Sequence, residues 1–148
     1  MRLSIIPKAQ LSSSQHHQAT QRIFAPEHLC DIGPRFFWNR PEHDPHHFAL
    51  FDFESEEFVG TVYCLIRPGV IQDLTWWLDS RMRRKGYWRA VADDLAVYLK
   101  KKHAIEKVGF ILFGGSHIPA SRKIAQRLRG HFDKAAGTPA ATTEPARP

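Results

Sequence analysis

The sequence predicts an α+β domain whose β-sheet is mixed, with antiparallel strands towards the N-terminus and a parallel strand–helix–strand unit behind them. Two short apolar segments joined by the polar residues 54–57 are typical of a β-hairpin. Residues 70–113 then contain a strand-length apolar segment, a long segment with helical spacing and a second apolar segment. Such a connection makes its two strands parallel, with a right-handed crossover. The length of 148 residues suits one domain.

The N-terminal third is predicted to contain one strand and few regular helices. Residues 1–7 are a candidate first strand, and the polar segment 11–25 indicates a loop with a short helix. Residues 26–39 include three consecutive aromatic side chains and favour a helix or an irregular segment packed on the core. Residues 40–47 contain two prolines and are interpreted as a loop.

The central strands follow from β-branched and aromatic residues between turn signals. Residues 47–54 and 58–67 are the predicted hairpin, Pro68-Gly69 is a turn, and the nearly continuously apolar segment 70–79 is a third strand.

The C-terminal half is predicted to alternate helix and strand. Apolar residues recur at helical spacing over 86–103, and 107–113 resembles a buried strand. A second helix is expected over 118–129, with a proline in its first turn, where no backbone N–H is needed. The domain is placed at 1–133. Residues 134–148, rich in Ala, Thr and Pro, are predicted to be a disordered tail.

The composition limits the class of protein. Hydrophobic residues make up 43% and charged residues 24%, as in soluble globular domains. No apolar run approaches the roughly 18–20 residues of a membrane span, and the apolar part of Met1–Pro7 is too short for a signal peptide. A cytoplasmic protein is expected. Cys30 and Cys64 lie in unlike segments and are interpreted as reduced thiols rather than a disulfide or metal site.

Charge is divided unevenly along the chain. Residues 81–132 contain thirteen Lys or Arg and three acidic residues, whereas residues 1–80 contain six basic and ten acidic residues. A polyphosphate cofactor beside an amine substrate fits this division. A solvated basic helix surface and a nucleic-acid interface remain alternatives.

The segment Trp76–Trp88 (WWLDSRMRRKGYW) connects the third strand to the first long helix. Free N–H groups of the loop and of the first helical turn would converge at the positive end of the helix dipole. Gly86 allows close approach to the backbone, and the preceding basic residues add charge. The pattern indicates a phosphate site, the alternative being a basic surface turn. It is neither the dinucleotide-binding glycine pattern nor a P-loop.

This segment, the strand–helix–strand spacing and the helix SRKIAQRLRGHF at 121–132 resemble the core of the GNAT acetyltransferase family over about residues 48–132. In that family the strand leads into a loop of the form Arg/Gln-x-x-Gly-x-Gly/Ala, and residues 83–88 occupy its six positions. The segment is most similar to the branch that includes ribosomal-protein N-terminal acetyltransferases.

The resemblance implies the GNAT-like acyl-CoA N-acyltransferase fold and transfer of acetyl from acetyl-CoA to a primary amine, without a metal. Backbone groups of Trp76 and Leu78 would pair with the pantetheine arm, and Ser121 would lie near the cofactor. The amides that would hold the pyrophosphate belong to Arg83, Arg84, Lys85, Gly86, Tyr87 and Trp88.

The chain departs from the family pattern at several positions. Trp88 replaces a small residue, but its side chain can point into the core because only the backbone must face phosphate. Ile118 replaces a common Asn, and Ala125 replaces a Tyr that protonates the leaving thiolate in many members. The last two strands of the family are expected to be missing, which leaves the acceptor site open or completed by a second subunit in a homodimer.

The general base is not evident. The family often has a Glu at the position of Gln72. Asp73 is a candidate if a β-bulge turns it, and is otherwise a substrate-orienting or edge carboxylate. His117, expected after the parallel strand, is the second candidate, its alternative being an exposed histidine at a helix start. His43, His46 and His47 are interpreted as a surface loop rather than a metal site.

Three functional hypotheses follow. The first is acetyl transfer from acetyl-CoA to an unidentified primary amine. The second is a GNAT-like CoA-binding module with weak or no activity, suggested by the missing acid, base and strands. The third is an acetyltransferase associated with RNA or the ribosome, suggested by the basic segment.

Overall fold

Within the described residues, five strands form one sheet in the order β1-β2-β3-β4-β5. A computed structural model describes residues 1–104, 107–108 and 119–136. The strands are β1 (Leu3–Pro7), β2 (His47–Asp52), β3 (Phe58–Arg67), β4 (Val70–Leu78) and β5 (Lys107–Val108). The helices are α1 (Ser13–Ile23), α2 (Ile32–Trp38), α3 (Tyr87–His103) and α4 (Pro119–Ala136), with 3₁₀ turns at Lys8–Gln10, Pro26–His28, Pro41–His46 and Ser80–Met82.

The sheet is mixed, as the sequence predicts. Strands β1 to β4 pair antiparallel with their neighbours. Strand β5 pairs parallel with β4, Val70 opposite Lys107 and Ile71 opposite Val108. Helix α3 is the crossover between these two strands, so the strand–helix–strand unit inferred from the spacing is present.

The register between β3 and β4 shifts beside the start of β4. Leu65 lies opposite Asp73, whereas the next residue, Ile66, lies opposite Ile71. Gln72 therefore has no partner residue on β3. A β-bulge of this kind bends a strand and redirects the residues that follow it.

Helices cover both faces of the sheet, which explains why β2 is buried along nearly its whole length rather than on alternate residues. Helices α3 and α4 pack on one face, where the large core includes Leu50, Leu74, Leu99 and Leu128. The smaller core on the other face joins α1 and α2 to the sheet. Its buried members are Ala19, Ile23, Trp38, Ala49, Phe51, Phe58 and Trp77.

Several predicted boundaries change. Residues 41–46, interpreted as a loop, form a 3₁₀ helix, because their prolines fix φ in a range that such a turn accepts. Helix α4 continues to Ala136, three residues beyond the predicted domain end at 133, with Phe132 fully buried. The part of the predicted strand beyond Val108 and most of the predicted tail lie outside the described residues.

Among the helices that the structure describes, none is long and apolar enough to cross a membrane.

Candidate functional site

The loop between β4 and α3 has a backbone that only a few residue types adopt without strain. Arg84 and Gly86 both have left-handed dihedrals, with φ of 66° and 86°. Helix α3 begins at Tyr87, directly after Gly86, and in the described part of the chain no side chain caps it. The N–H groups of its first turn have no carbonyl partner inside the helix. They are therefore free to bind an anion at the positive end of the helix dipole.

Two side chains of the loop turn back onto the protein. The Tyr87 hydroxyl donates to Asp52 Oδ2 at 2.7 Å, and burial together with this carboxylate raises the pKa of Tyr87 to about 12. The Arg83 guanidinium donates to the carbonyl of Leu78 at 2.9 Å and to Asp31 Oδ2 at 3.3 Å. These contacts hold Arg83 and Tyr87 in place on either side of the exposed residues 84–86.

The other basic residues of the loop point to solvent. Arg84 and Lys85 are exposed, and Trp88 is half-buried against the large core. The side chain of Trp88 thus packs towards the core, although the motif that residues 83–88 resemble has a small residue at this position.

Strand β4 places consecutive tryptophans on opposite faces of the sheet. Trp76 is buried in the large core, whereas Trp77 belongs to the smaller core and donates from its indole to Asp31 Oδ2 at 2.9 Å. Within the ranges that the structure describes, the pairing of β4 with β5 is confined to Val70 and Ile71. The main chain of Trp76 and Leu78 lies beyond that pairing, towards the basic loop.

A buried ion pair connects the loop to helix α1. Asp79, the residue after β4, is fully buried and accepts hydrogen bonds from Arg22 Nε at 2.7 Å and Arg22 NH2 at 2.9 Å. Its Oδ1 also accepts from the backbone N–H of Arg81 at 3.1 Å. Burial alone would raise the pKa of Asp79, but the bonds from Arg22 and Arg81 outweigh it and hold the pKa below its ordinary value.

A buried histidine completes this network. His28 Nε2 lies 3.3 Å from Asp79 Oδ1 and 3.3 Å from the Ser80 hydroxyl, which donates to Glu27. Burial lowers the pKa of His28, which favours the neutral ring. Glu27, His28 and Asp79 together offer three ligand atoms within 4.8 Å. Arg22 pairs with both carboxylates, and Arg81 also pairs with Asp79, so two cations already face the two acids of this cluster.

Sequence reasoning missed this network, because its members come from segments about fifty residues apart that share no motif. The one local signal is an acidic residue, Asp79, at the end of a long apolar strand. An acid there needs a buried cation, and the partner, Arg22, is identified only by the packing of α1.

The predicted catalytic residues are only partly placed. Asp73 lies on β4 immediately after the register shift, opposite Leu65. Ser121 lies in the first turn of α4, and Ala125 is buried on the same helix. His117 lies outside the described residues.

The histidines of the 40–47 segment pack with aromatic rings. His43 Nδ1 lies 3.0 Å from the Tyr63 hydroxyl, and the Phe37 ring stacks on Tyr63 at 4.6 Å between centroids. His47 is buried, and its desolvation lowers its pKa to about 4. These histidines thus belong to an aromatic cluster on the α1–α2 face of the sheet rather than to an open surface loop.

The chain is similar to one protein family and to several solved structures. The model of the acetyltransferase (GNAT) family matches residues 13–129. An acetyltransferase (GNAT family) from Bacillus anthracis superposes with a TM-score of 0.60 at 12% identity, over 86% of this chain and 79% of that chain.

Two further structures share the fold. The Campylobacter jejuni N-acetyltransferase PseH, solved in complex with acetyl coenzyme A, has a TM-score of 0.55 at 12% identity, over 84% of this chain and 85% of that chain. A proposed ribosomal-protein-serine acetyltransferase from Vibrio cholerae has a TM-score of 0.56 at 16% identity, over 86% of this chain and 79% of that chain. A comparison with curated protein sequences gives no match.

Proposed function

The chain belongs to the GNAT acetyltransferase family, and we propose that it is an N-acetyltransferase that transfers the acetyl group of acetyl-CoA to a primary amine. The observation that carries this proposal is the loop before α3, where a left-handed Gly86 precedes a helix that no described side chain caps. The family match includes this loop.

The loop has the properties that a diphosphate requires. Consecutive N–H groups from Arg84 to Trp88 supply donors, and a glycine at the cap removes the Cβ that would keep an anion from the backbone. The side chains of Arg83 and Tyr87 are held by Asp31 and Asp52, which supports a binding role for their backbone groups rather than for their side chains.

The remainder of the cosubstrate would follow β4. A pantetheine arm carries two amides, which can pair with the main chain of Trp76 and Leu78 as an additional strand would. Ser121, in the first turn of α4, is proposed to lie beside this arm. The thioester would then reach the part of β4 that follows the register shift at Gln72.

Acetyl transfer requires a neutral amine, which attacks the thioester carbonyl while the thiolate leaves and takes up a proton. Asp73 is our first candidate for the group that accepts the amine proton, because it follows the bulge in β4. His117 is the second candidate. Ala125 cannot donate a proton to the thiolate, so solvent or another residue must do so.

The test is binding followed by turnover. Isothermal titration should detect acetyl-CoA binding, and a thiol-detection assay over a panel of primary amines should detect CoA release. Gly86→Ala introduces no contact within 4 Å but forces an alanine into a left-handed conformation. We expect it to weaken acetyl-CoA binding by about fivefold to thirtyfold through roughly 1–2 kcal/mol of strain. Absence of acetyl-CoA binding at millimolar concentration would disprove the proposal.

Gly33→Ala is the matched control, since it also has open space around the added methyl group but no positive φ. It should leave acetyl-CoA affinity unchanged. Equal losses in the two variants would show that the loop conformation is irrelevant to the cosubstrate.

A second candidate function is a CoA-binding module without transferase activity. The buried Ala125 in place of a proton-donating tyrosine favours it. This candidate predicts acetyl-CoA binding without CoA release for every amine tested. An acceptor associated with RNA or the ribosome would specify the amine that the main proposal leaves open, and the exposed basic residues of α3 support it. It requires an RNA affinity that falls steeply with salt.

A further inference from the structure

Two cations from different helices share one aromatic ring beside the loop. The Arg89 guanidinium and the Lys123 ammonium each lie 5.4 Å from the centre of the Trp88 ring. Arg89 is in the first turn of α3 and Lys123 is in α4, and both side chains are exposed. Their contact with the same ring keeps the two positive charges near each other beside the loop.

Within the described residues, no carboxylate pairs with these cations. The contrast lies about one turn further along the same two helices, where Asp93 binds Arg127 at 2.6 Å and His131 at 2.7 Å. Arg84 and Lys85, in the adjacent loop, are exposed and add positive charge to the same region. Acidic side chains thus neutralise one part of the α3–α4 interface and leave the part beside the loop positive.

The chemistry of coenzyme A supplies an anion of suitable charge and position. Its pyrophosphate is joined to a ribose that carries a separate 3′-phosphate, a monoester with a charge of roughly −1.5 to −2 near neutral pH. A pyrophosphate on the loop amides must place this second phosphate within one ribose of the loop. Trp88 is the last residue of that loop, so its two cations are within reach of the group.

We propose that Arg89 and Lys123, held against the Trp88 ring, bind the 3′-phosphate of coenzyme A and make the protein select CoA over 3′-dephospho-CoA. This inference rests on the proposed function. It assigns a role to the tryptophan that replaces the small residue of the motif. Trp88 is a positioning residue here, because it contacts the cations and not the phosphate.

The experiment compares two ligands that differ by one phosphate. Isothermal titration of the full chain should give a Kd for CoA at least about tenfold lower than that for 3′-dephospho-CoA. Arg89→Ala and Lys123→Ala should each reduce this ratio by about threefold or more, and the double variant should bring it below about two. The affinity for 3′-dephospho-CoA should stay near that of the unmodified protein, which also shows that the variants are folded.

Two controls separate this contact from general electrostatics and from packing. Lys101→Ala removes the same charge from α3 but twelve residues from Arg89, about 18 Å along the helix and beyond the Debye length at physiological salt. It should leave the ratio unchanged. Trp88→Phe keeps an aromatic ring for the two cations and should retain most of the ratio. Trp88→Leu removes the ring and should reduce the ratio.

The outcomes distinguish this inference from the function beneath it. Two results overturn the inference and leave the proposed function intact. One is tight CoA binding by the unmodified protein with a ratio of the two Kd values below about two. The other is an unchanged ratio in the double variant. An equal reduction by Lys101→Ala also overturns it. Failure of both ligands to bind overturns the proposed function together with the inference.

Discussion

Gly60, in β3, lies where strand β4 leaves no space for a side chain. It pairs with Leu78, and a Cβ at this position would overlap the backbone carbonyl oxygen of Trp77. Backbone cannot rotate away as a side chain can. We therefore expect Gly60→Ala to reduce the free energy of unfolding by about 3 kcal/mol or more, measured by urea denaturation.

Gly130→Ala is the control for that measurement. Gly130 lies in helix α4 with open space around its Cα, so an added methyl group meets nothing and favours the helix. Stability should be unchanged or should rise by up to about 1 kcal/mol. A Gly60→Ala variant as stable as this control would contradict the close approach of β3 and β4.

His47 makes the stability of the protein sensitive to mild acid. Its desolvated ring has a pKa of about 4 in the folded protein, against an ordinary value of 6.5. Between these values the unfolded chain binds a proton that the folded chain does not, so stability falls as pH falls from 6.5 towards 4. The loss attributable to His47 should be about 2 kcal/mol between pH 7 and pH 5, measured by urea unfolding.

His47→Phe should remove this part of the pH dependence. Nδ1 of His47 has no hydrogen-bond partner in the part of the chain that the structure describes, so no such bond is lost there with the imidazole. His17→Ala, which removes an exposed histidine, is the comparison. The interpretation fails if His47→Phe and the unmodified protein lose the same stability over that pH range.

At the scale of elements, the pair formed by Arg22 and Asp79 attaches α1 to the end of β4. The Asp79 side chain is completely buried and that of Arg22 is 18% exposed. Asp79→Asn retains the size of the side chain and an acceptor for the Arg81 N–H but removes the buried charge partner of the guanidinium, which keeps its pair with the exposed Glu27. We expect a loss of about 2–3 kcal/mol in the free energy of unfolding.

A double-mutant cycle tests whether that loss arises from the pair. Arg22→Met removes the cation, and the combination with Asp79→Asn should be less harmful than the sum of the single changes. Additive losses would show that Asp79 acts through other contacts, such as those with His28 or the Arg81 amide.

At the scale of the whole molecule, the division of charge should be visible in the salt dependence of binding. The C-terminal half, with the loop, α3 and α4, has the basic excess, and acetyl-CoA carries several negative charges. We expect acetyl-CoA affinity to weaken by about threefold to tenfold between 50 and 500 mM KCl. S-acetylpantetheine, which lacks the phosphates, should bind with little salt dependence. A flat response to salt for acetyl-CoA would exclude long-range attraction.

Local sequence determined the elements whose signals are themselves local. The bounds of β3, the start of α3 after Gly86 and the parallel unit around it follow from residue periodicity, turn residues and connection length. The basic loop was recognisable for the same reason, because its glycine, charges and helix start are consecutive in the chain. These features need no knowledge of distant partners.

Tertiary structure decided what depends on contacts between distant segments. Two sets of contacts join residues that share no sequence pattern. Arg22 and His28 contact Asp79. Arg89 and Lys123 lie against the Trp88 ring. No repeat or spacing in the sequence marks the partner of a buried charge or of an exposed cation. That partner is set by how the helices pack on the sheet. The sequence by itself predicts where an anion should bind, whereas the packing of the helices determines which side chains surround that loop.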